Sequence, residues 1–243
     1  MRIPRIFLDV PLQQDSLVVL DENAARHVIQ VLRLKKGAPL ILFNGKGGEF
    51  EAVLDDVSRG HVAVITGKFI NRDVESKLEI ILAQGVSRGE RMDYTLQKAV
   101  ELGVTRVIPL ITQHTVVNLK GDRRDRRVQH WQQIVNSACE QCGRSRVPKV
   151  EDLQEINLWL PASGPGMKFI LHHSAMEGIS KFNEQNPPIT LLVGPEGGFS
   201  DQELAAAQQA GFIPLQLGPR ILRTETAALV ALSVLQAKWG DLA

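Results

Sequence analysis

Leu191–Ser200 reads L-L-V-G-P-E-G-G-F-S, and Leu217–Ala227 repeats its grammar as L-G-P-R-I-L-R-T-E-T-A. Each copy is a short apolar run, a Gly-Pro turn, a charged residue and then a helix. The run Ile189–Val193 is apolar apart from Thr190 and bounded by prolines and a glycine, as in a strand buried on both faces. Ser200 opens the next helix, and Glu203 three residues on predicts a capping box. Two strand–loop–helix units in succession predict two glycine-rich loops at the carboxyl ends of neighbouring parallel strands, where open α/β sheets bind ligands.

The loop residues narrow the ligand. Gly194, Gly197 and Gly198 permit close approach of another molecule to the backbone, and Pro195 removes one amide donor. Phosphate cradles present several free amides, usually with a Lys or Arg. Glu196 would repel a phosphate and suits a neutral nucleoside or a cationic group.

Outward from these loops, strand–helix alternation fills the chain beyond the polar stretch Asn71–Lys77. Leu78–Ala83, Val104–Ile111, Lys168–Leu171, Ile189–Val193 and Ile213–Leu217 read as strands. Arg91–Leu102, Arg124–Cys142 and Glu225–Trp239 read as helices. That order predicts a parallel sheet covered on both faces. The first 72 residues differ. Ile3–Asp9, Ser16–Leu20, Pro39–Phe43, Glu49–Asp55 and His61–Phe69 read as strands, with a helix at Asn23–Leu34 stopped by Gly37. Asn44–Gly48 is the turn of a hairpin. Two domains are expected, 1–72 and 73–243.

Composition sets limits. The chain has 243 residues, 44% of them hydrophobic, and a net charge of +1, so any nucleic-acid surface must be a local patch. The start, M-R-I-P-R-I-F-L-D, lacks the apolar core of a secretory signal, and no apolar run approaches the roughly 20 residues of a membrane span. A soluble, cytoplasmic protein without membrane attachment is expected. Cys139 and Cys142 fall late in a helix, whereas a redox C-x-x-C opens one, and no further ligand cluster completes a zinc site. No metal is expected.

The paired motifs G-P-E-G-G-F-S and L-G-P-R-I-L-R-T-E-T-A-A resemble the signature of SPOUT-class RNA methyltransferases. More narrowly, the chain resembles the bacterial family that methylates N3 of a uridine in 16S ribosomal RNA. Met1–Arg5, His27–Arg33, Ser87–Arg91 (S-R-G-E-R), Gln97–Gly103 (Q-K-A-V-E-L-G) and Ala138–Pro148 resemble that family in the same order, so the likeness spans essentially the whole chain.

The resemblance implies a small PUA-like β-barrel followed by an α/β methyltransferase domain with a C-terminal trefoil knot, and a homodimer. It implies S-adenosyl-L-methionine as cofactor, held by loops that map onto Leu171–Ser174, Gly194–Phe199 and Leu217–Arg223. The cofactor residues implied are Leu171, His172, Gly194, Pro195, Glu196, Gly197, Gly198, Leu217, Gly218, Ile221, Leu222, Thr224 and Ala227. N3 of uracil carries a proton, and its loss charges the flanking carbonyl oxygens. A fixed cation would stabilise that charge. Arg223 is the catalytic candidate for this role, with a phosphate clamp or a tie to Glu225 as the alternatives. Glu196 and Glu225 are both possible proton acceptors. Arg2, Arg5, Arg33, Arg88, Lys98 and Arg144 are the expected contacts to 16S ribosomal RNA in the small ribosomal subunit. Two rival functions stand beside N3 methylation: 2′-O-ribose methylation on the same fold, and a non-catalytic RNA-binding assembly factor.

Overall fold

The computed structural model describes residues 3–58, 61–117, 121–183 and 186–242. They form two compact units, one of Met1–Glu75 with Asn136–Val147, the other of Ser76–Val135 with Pro148–Ala243.

The first unit is a five-stranded sheet in the order β1-β3-β4-β5-β2, made of β1 (Arg5–Phe7), β2 (Leu17–Val19), β3 (Pro39–Phe43), β4 (Glu49–Ser58) and β5 (His61–Ile70). β1 runs parallel to β3 and the other pairs are antiparallel. Alternation builds its core. Leu40 and Leu42, Ala52 and Leu54, and Val62 and Val64 point inward and meet Ile6, Leu8, Leu20 and Val28. Asn44–Gly48 joins β3 to β4, the expected hairpin.

The expected helix at Asn23–Leu34 is broken in the structure. α1 (Glu22–Arg26) is capped by Asp21, whose carboxylate accepts from the Ala24 N–H at 2.8 Å. The chain then widens into a π-turn over His27–Val31, closed by the Leu32 N–H on the His27 carbonyl at 2.9 Å. Arg33, at φ 53°, ends the segment four residues before Gly37.

The piece Asn136–Val147 joins the first unit although a contiguous division places it with the second. Arg5 explains the attachment. Its guanidinium donates to the carbonyls of Gly143 and Arg144, both at 2.9 Å, and pairs with Glu49 at 2.8 Å. Arg144 in turn pairs with Glu75 at 2.6 Å. Both arginines are buried. A buried charge is tolerated only when paired and hydrogen-bonded.

The second unit is a parallel sheet in the order β12-β10-β11-β6-β7-β8, with β9 also pairing β7. Its strands are β6 (Ile80–Gly85), β7 (Arg106–Ile111), β8 (Lys149–Val150), β9 (Gln154–Glu155), β10 (Met167–Leu171), β11 (Ile189–Val193) and β12 (Ile213–Leu215). Every residue of β11 is buried. α4 (Ile156–Trp159) and α5 (Asp201–Gln209) contribute Ile156, Trp159 and Ala207 to the core on one face. α2 (Glu90–Glu101) and α6 (Thr224–Trp239) pack together and α6 touches β11. α3 (Asp122–Cys142) runs from the second unit into the first.

One expectation of topology is corrected. β11 and β12, which carry the two Gly-Pro loops, are not neighbours, because β10 lies between them and pairs in parallel with both. Crossover connections return a strand to any vacant edge, so order along the chain does not fix order in the sheet. No helix among the described residues is long and apolar enough to cross a membrane. Cys139 and Cys142 are free, and burial pushes the Cys139 thiol up to about 12, which leaves it inert as a nucleophile.

Candidate functional site

Three adjacent strands, β11, β10 and β12, end at one edge of the sheet, and their loops with the start of α6 enclose a cavity of about 530 Å³. Its wall is Leu171–His173 after β10, Val193–Phe199 after β11, and Leu215–Gly218 with Arg220–Glu225 and Ala227 after β12, together with Arg91. Every residue that the resemblance implies for the cofactor lines this one cavity, as does Arg223.

Local rules set each loop. Ser200 caps α5 and Glu203 reaches back to the Ser200 N–H at 2.9 Å, completing the expected capping box. Glu203 also accepts from the Gln113 N–H at 2.7 Å, which braces the segment after β7 on the start of α5. Gly198 and Gly218 adopt φ values of 68° and 81° with open space beyond their Cα atoms, so backbone is presented to whatever occupies the cavity. At Gly85, the end of β6, a Cβ would stand 2.6 Å from Pro195 Cδ and 2.7 Å from Pro195 N. The absence of a side chain there lets the β11 loop lie directly on the strand end.

Glu196 has a structural partner set that sequence does not reveal. Its Oε1 accepts from the Arg88 N–H and from Arg91 Nη1, both at 3.0 Å. Burial alone would raise its carboxyl. The N–H groups of Arg88 and of Glu196 itself, with the Arg91 guanidinium, outweigh that and hold it below the ordinary carboxylate value. Burial, and then the charge of His173, lower the His172 imidazole against the pull of Asp201, which favours a neutral ring in the wall. Glu225 Oε2 is buried and has no hydrogen-bond partner among the described residues.

Arg223 is exposed and precedes the first residue of α6. Its guanidinium makes no ion pair or hydrogen bond among the described residues, so the alternative of a tie to Glu225 is not what the structure shows. Thr224 is otherwise committed: its hydroxyl donates to the Gly194 carbonyl.

The expected RNA contacts divide. Arg33 and Arg88 are exposed, and Lys98 is half-buried and paired with Glu101 at 2.7 Å. Arg5 and Arg144 are corrected: their guanidinium groups are buried in ion pairs within the first unit and are not presented to a polyanion. Arg2 lies outside the described residues. Sequence reasoning passed over Arg91 and Arg220 in the cavity wall, although Arg91 closes the S-R-G-E-R motif.

Two family models match the chain, an RNA methyltransferase PUA domain over residues 20–66 and an RNA methyltransferase domain over residues 74–236. A protein of Buchnera aphidicola (subsp. Schizaphis graminum) named ribosomal RNA small subunit methyltransferase E is 36% identical over 99% of this chain and 98% of its own length. The protein of that name from Bacillus subtilis is 28% identical over 86% of this chain and 85% of its own. Among solved structures, a ribosomal RNA small subunit methyltransferase E from Neisseria gonorrhoeae, bound to S-adenosyl methionine, superposes with a TM-score of 0.95 at 39% identity over the whole of both chains. A Legionella pneumophila methyltransferase solved with bound cofactor SAM gives a TM-score of 0.97 at 40% identity, again over both whole chains. The fold is thus a PUA domain followed by an α/β RNA methyltransferase domain built on a parallel sheet. The chain belongs to the RNA methyltransferase family, within its group of ribosomal RNA small subunit methyltransferase E proteins.

Proposed function

We propose that the chain methylates N3 of a uridine in 16S ribosomal RNA, with S-adenosylmethionine bound by the loops after β10, β11 and β12. As a member of its family it is an S-adenosylmethionine-dependent methyltransferase of small-subunit ribosomal RNA; the position on the base is the finer claim. The observation that carries the assignment of the cavity is that three separate loops, read from sequence as one cofactor site, line one wall.

The wall suits the cofactor. About 530 Å³ falls within the range of roughly 300–1,000 Å³ typical of small-molecule pockets. Leu171, Val193, Leu215, Leu222 and Ala227 offer apolar surface for a purine, and Gly198 and Gly218 leave open space beside their backbone. When bound, the cofactor supplies a methyl group on a sulfonium centre.

The protein's own groups then act on the base. Arg223 carries, at the cavity wall, a cation with no partner among the described residues. Set against the uracil carbonyl oxygens, it stabilises the charge that grows as N3 loses its proton. Glu196 already accepts two hydrogen bonds at Oε1, so Glu225, the other carboxylate of the cavity wall, is assigned as the proton acceptor in this mechanism. Holding base and donor in line supplies much of the acceleration. N3 lies on the Watson–Crick edge, so the uridine must be unpaired or flipped. Arg33, Arg88 and Lys98, joined by Arg91 and Arg220, are the phosphate contacts in this scheme, and such contacts position RNA without reading sequence.

A homodimer is also proposed. α6 carries exposed Val230 and half-buried Leu229 and Val234 beside its buried face, and a helix apolar all round belongs in an interior or an interface. The protein acts in the cytoplasm in this scheme. The two domains of the sequence analysis, 1–72 and 73–243, are kept as functional divisions, with RNA binding by the first and chemistry by the second.

The test is transfer of a labelled methyl group from S-adenosylmethionine to small ribosomal subunits that lack the modification, followed by digestion to nucleosides. The label is expected in N3-methyluridine. Label in a 2′-O-methyl nucleoside would replace the proposed chemistry with ribose methylation, and no transfer at all would leave an assembly factor.

A further inference from the structure

Gln84 is the penultimate residue of β6 and is fully buried, in a strand otherwise built of Ile, Leu, Ala and Gly. Its carboxamide nitrogen stands 3.0 Å from the Gly85 carbonyl, 3.1 Å from Thr224 Oγ1 and 3.4 Å from the Gly194 carbonyl. The Thr224 hydroxyl gives its only proton to the Gly194 carbonyl and so can only accept from Gln84. Two carbonyls and an accepting hydroxyl around one atom require the NH₂ end of the amide there. The result is a directed chain, Gln84 N–H to Thr224 O–H to Gly194 C=O.

This chain joins the end of β6, the first turn after β11 and the first residue of α6. Gly194 and Thr224 belong to the cavity wall, whereas Gln84 stands behind it. A polar side chain in such a place is costly unless paired, and its pairing specifies one arrangement of its partners. We infer that Gln84 and Thr224 are positioning residues: a buried clasp that sets the spacing between the Gly194–Phe199 and Leu217–Arg223 loops, and so the width of the slot between them. The Thr224 hydroxyl serves the loop and not the ligand. Arg223, the neighbour of Thr224, is held in place by the same contact.

The inference rests on the proposal that this cavity takes S-adenosylmethionine. Its test compares Thr224→Val, which keeps shape and removes the hydroxyl, with Thr224→Ser, which keeps the hydroxyl, and adds Gln84→Leu and the double variant. Calorimetry with S-adenosylmethionine gives Kd from the curve and the folded fraction from the stoichiometry, and methyl transfer to small subunits gives KM for each substrate. Thr224→Val is expected to weaken S-adenosylmethionine binding and raise its KM about tenfold while KM for the subunit stays unchanged. Thr224→Ser should stay within about twofold of the parent. The double variant should be no weaker than the worse single one, because one clasp can be lost only once. Equal affinities for the Val and Ser variants, additive losses, or a lowered stoichiometry at unchanged Kd would overturn the clasp. Failure of the unaltered protein to bind S-adenosylmethionine would instead overturn the assignment of the cavity.

Discussion

Gly85→Ala tests whether the end of β6 carries the β11 loop. A Cβ built there stands 2.6 Å from Pro195 Cδ and 2.7 Å from Pro195 N, against an ordinary carbon–carbon separation of roughly 3.5–4.0 Å. Something must move by about 1 Å. The strand is the stiffer partner, because Gly85 pairs with Leu110 and the two neighbours of β6, β7 and β11, flank it in parallel register. The loop therefore gives way, and Pro195 and Glu196 shift with it. Overpacking of this kind destabilises by roughly 1–3 kcal/mol, which for a domain of this size lowers Tm by a few degrees. The functional loss should be larger: a misplacement of about 1 Å at a site that aligns two reactants can cost on the order of 10²-fold in rate. Thermal unfolding, S-adenosylmethionine affinity by calorimetry and methyl transfer to small subunits separate the two effects. A folded Gly85→Ala protein that binds the cofactor and methylates at the parent rate would refute the idea that the strand end supports the loop.

Three further outcomes follow from the same geometry. Arg223→Ala should reduce methyl transfer by about 10²-fold or more, the scale of a lost charge-stabilising group, with S-adenosylmethionine affinity within about threefold; equal loss of both would move Arg223 from chemistry to pocket architecture. Glu196→Gln tests the loop anchor through pH. The folded-state carboxyl is held below its ordinary value of 4.5, so its contribution is complete above that value and fades as pH falls through the lowered one. The advantage of the parent over Glu196→Gln in cofactor affinity should be constant near neutrality and shrink on acidification below about pH 4.5, and an advantage that persists in acid would show that charge is not what anchors the loop. Arg144→Met leaves the Glu75 carboxylate without its paired guanidinium, and breaking a buried pair in this way should destabilise by about 3–5 kcal/mol in urea unfolding, with much of it regained in Arg144→Met/Glu75→Gln. A loss within about 0.5 kcal/mol, typical of a surface charge, would restore Arg144 to the list of RNA contacts.

The strands and loops that make the cavity were legible because their signals are local. Ile189–Val193 is apolar apart from Thr190, and all five residues are buried. Ser200 and Glu203 are three apart and form their capping box within one turn. The glycines of Gly194–Gly198 follow a strand and precede a helix, and that order alone puts them at a carboxyl edge. What failed was long-range. β10 inserts between β11 and β12, and no feature of the intervening sequence encodes that placement. The π-turn at His27–Val31 was read as α-helix because Val28, Ile29 and Leu32 fit a helical face almost equally well in either winding.

Arginine shows why site residues were harder than site loops. Arg5 and Arg33 look alike in sequence, each beside apolar residues in the small domain. Arg5 is buried because Glu49 lies across the sheet and because the carbonyls of Gly143 and Arg144, 138 and 139 residues away, return to it. Arg33 has no such visitors among the described residues and stays exposed. Glu196 follows the same logic in reverse. Its place in a glycine-rich loop suggests a charge offered to a ligand, yet one of its oxygens holds the start of α2, more than 100 residues earlier in the chain. A residue type announces which chemistry is possible, and its partners decide whether that chemistry faces a ligand or the protein itself. Among the described residues, the partners at and behind this cavity leave the Arg223 guanidinium uncommitted while they occupy the amide nitrogen of Gln84, the hydroxyl of Thr224 and Oε1 of Glu196. On the proposed chemistry at N3, catalysis draws on Arg223 and Glu225, and the other three keep the loops in register for it.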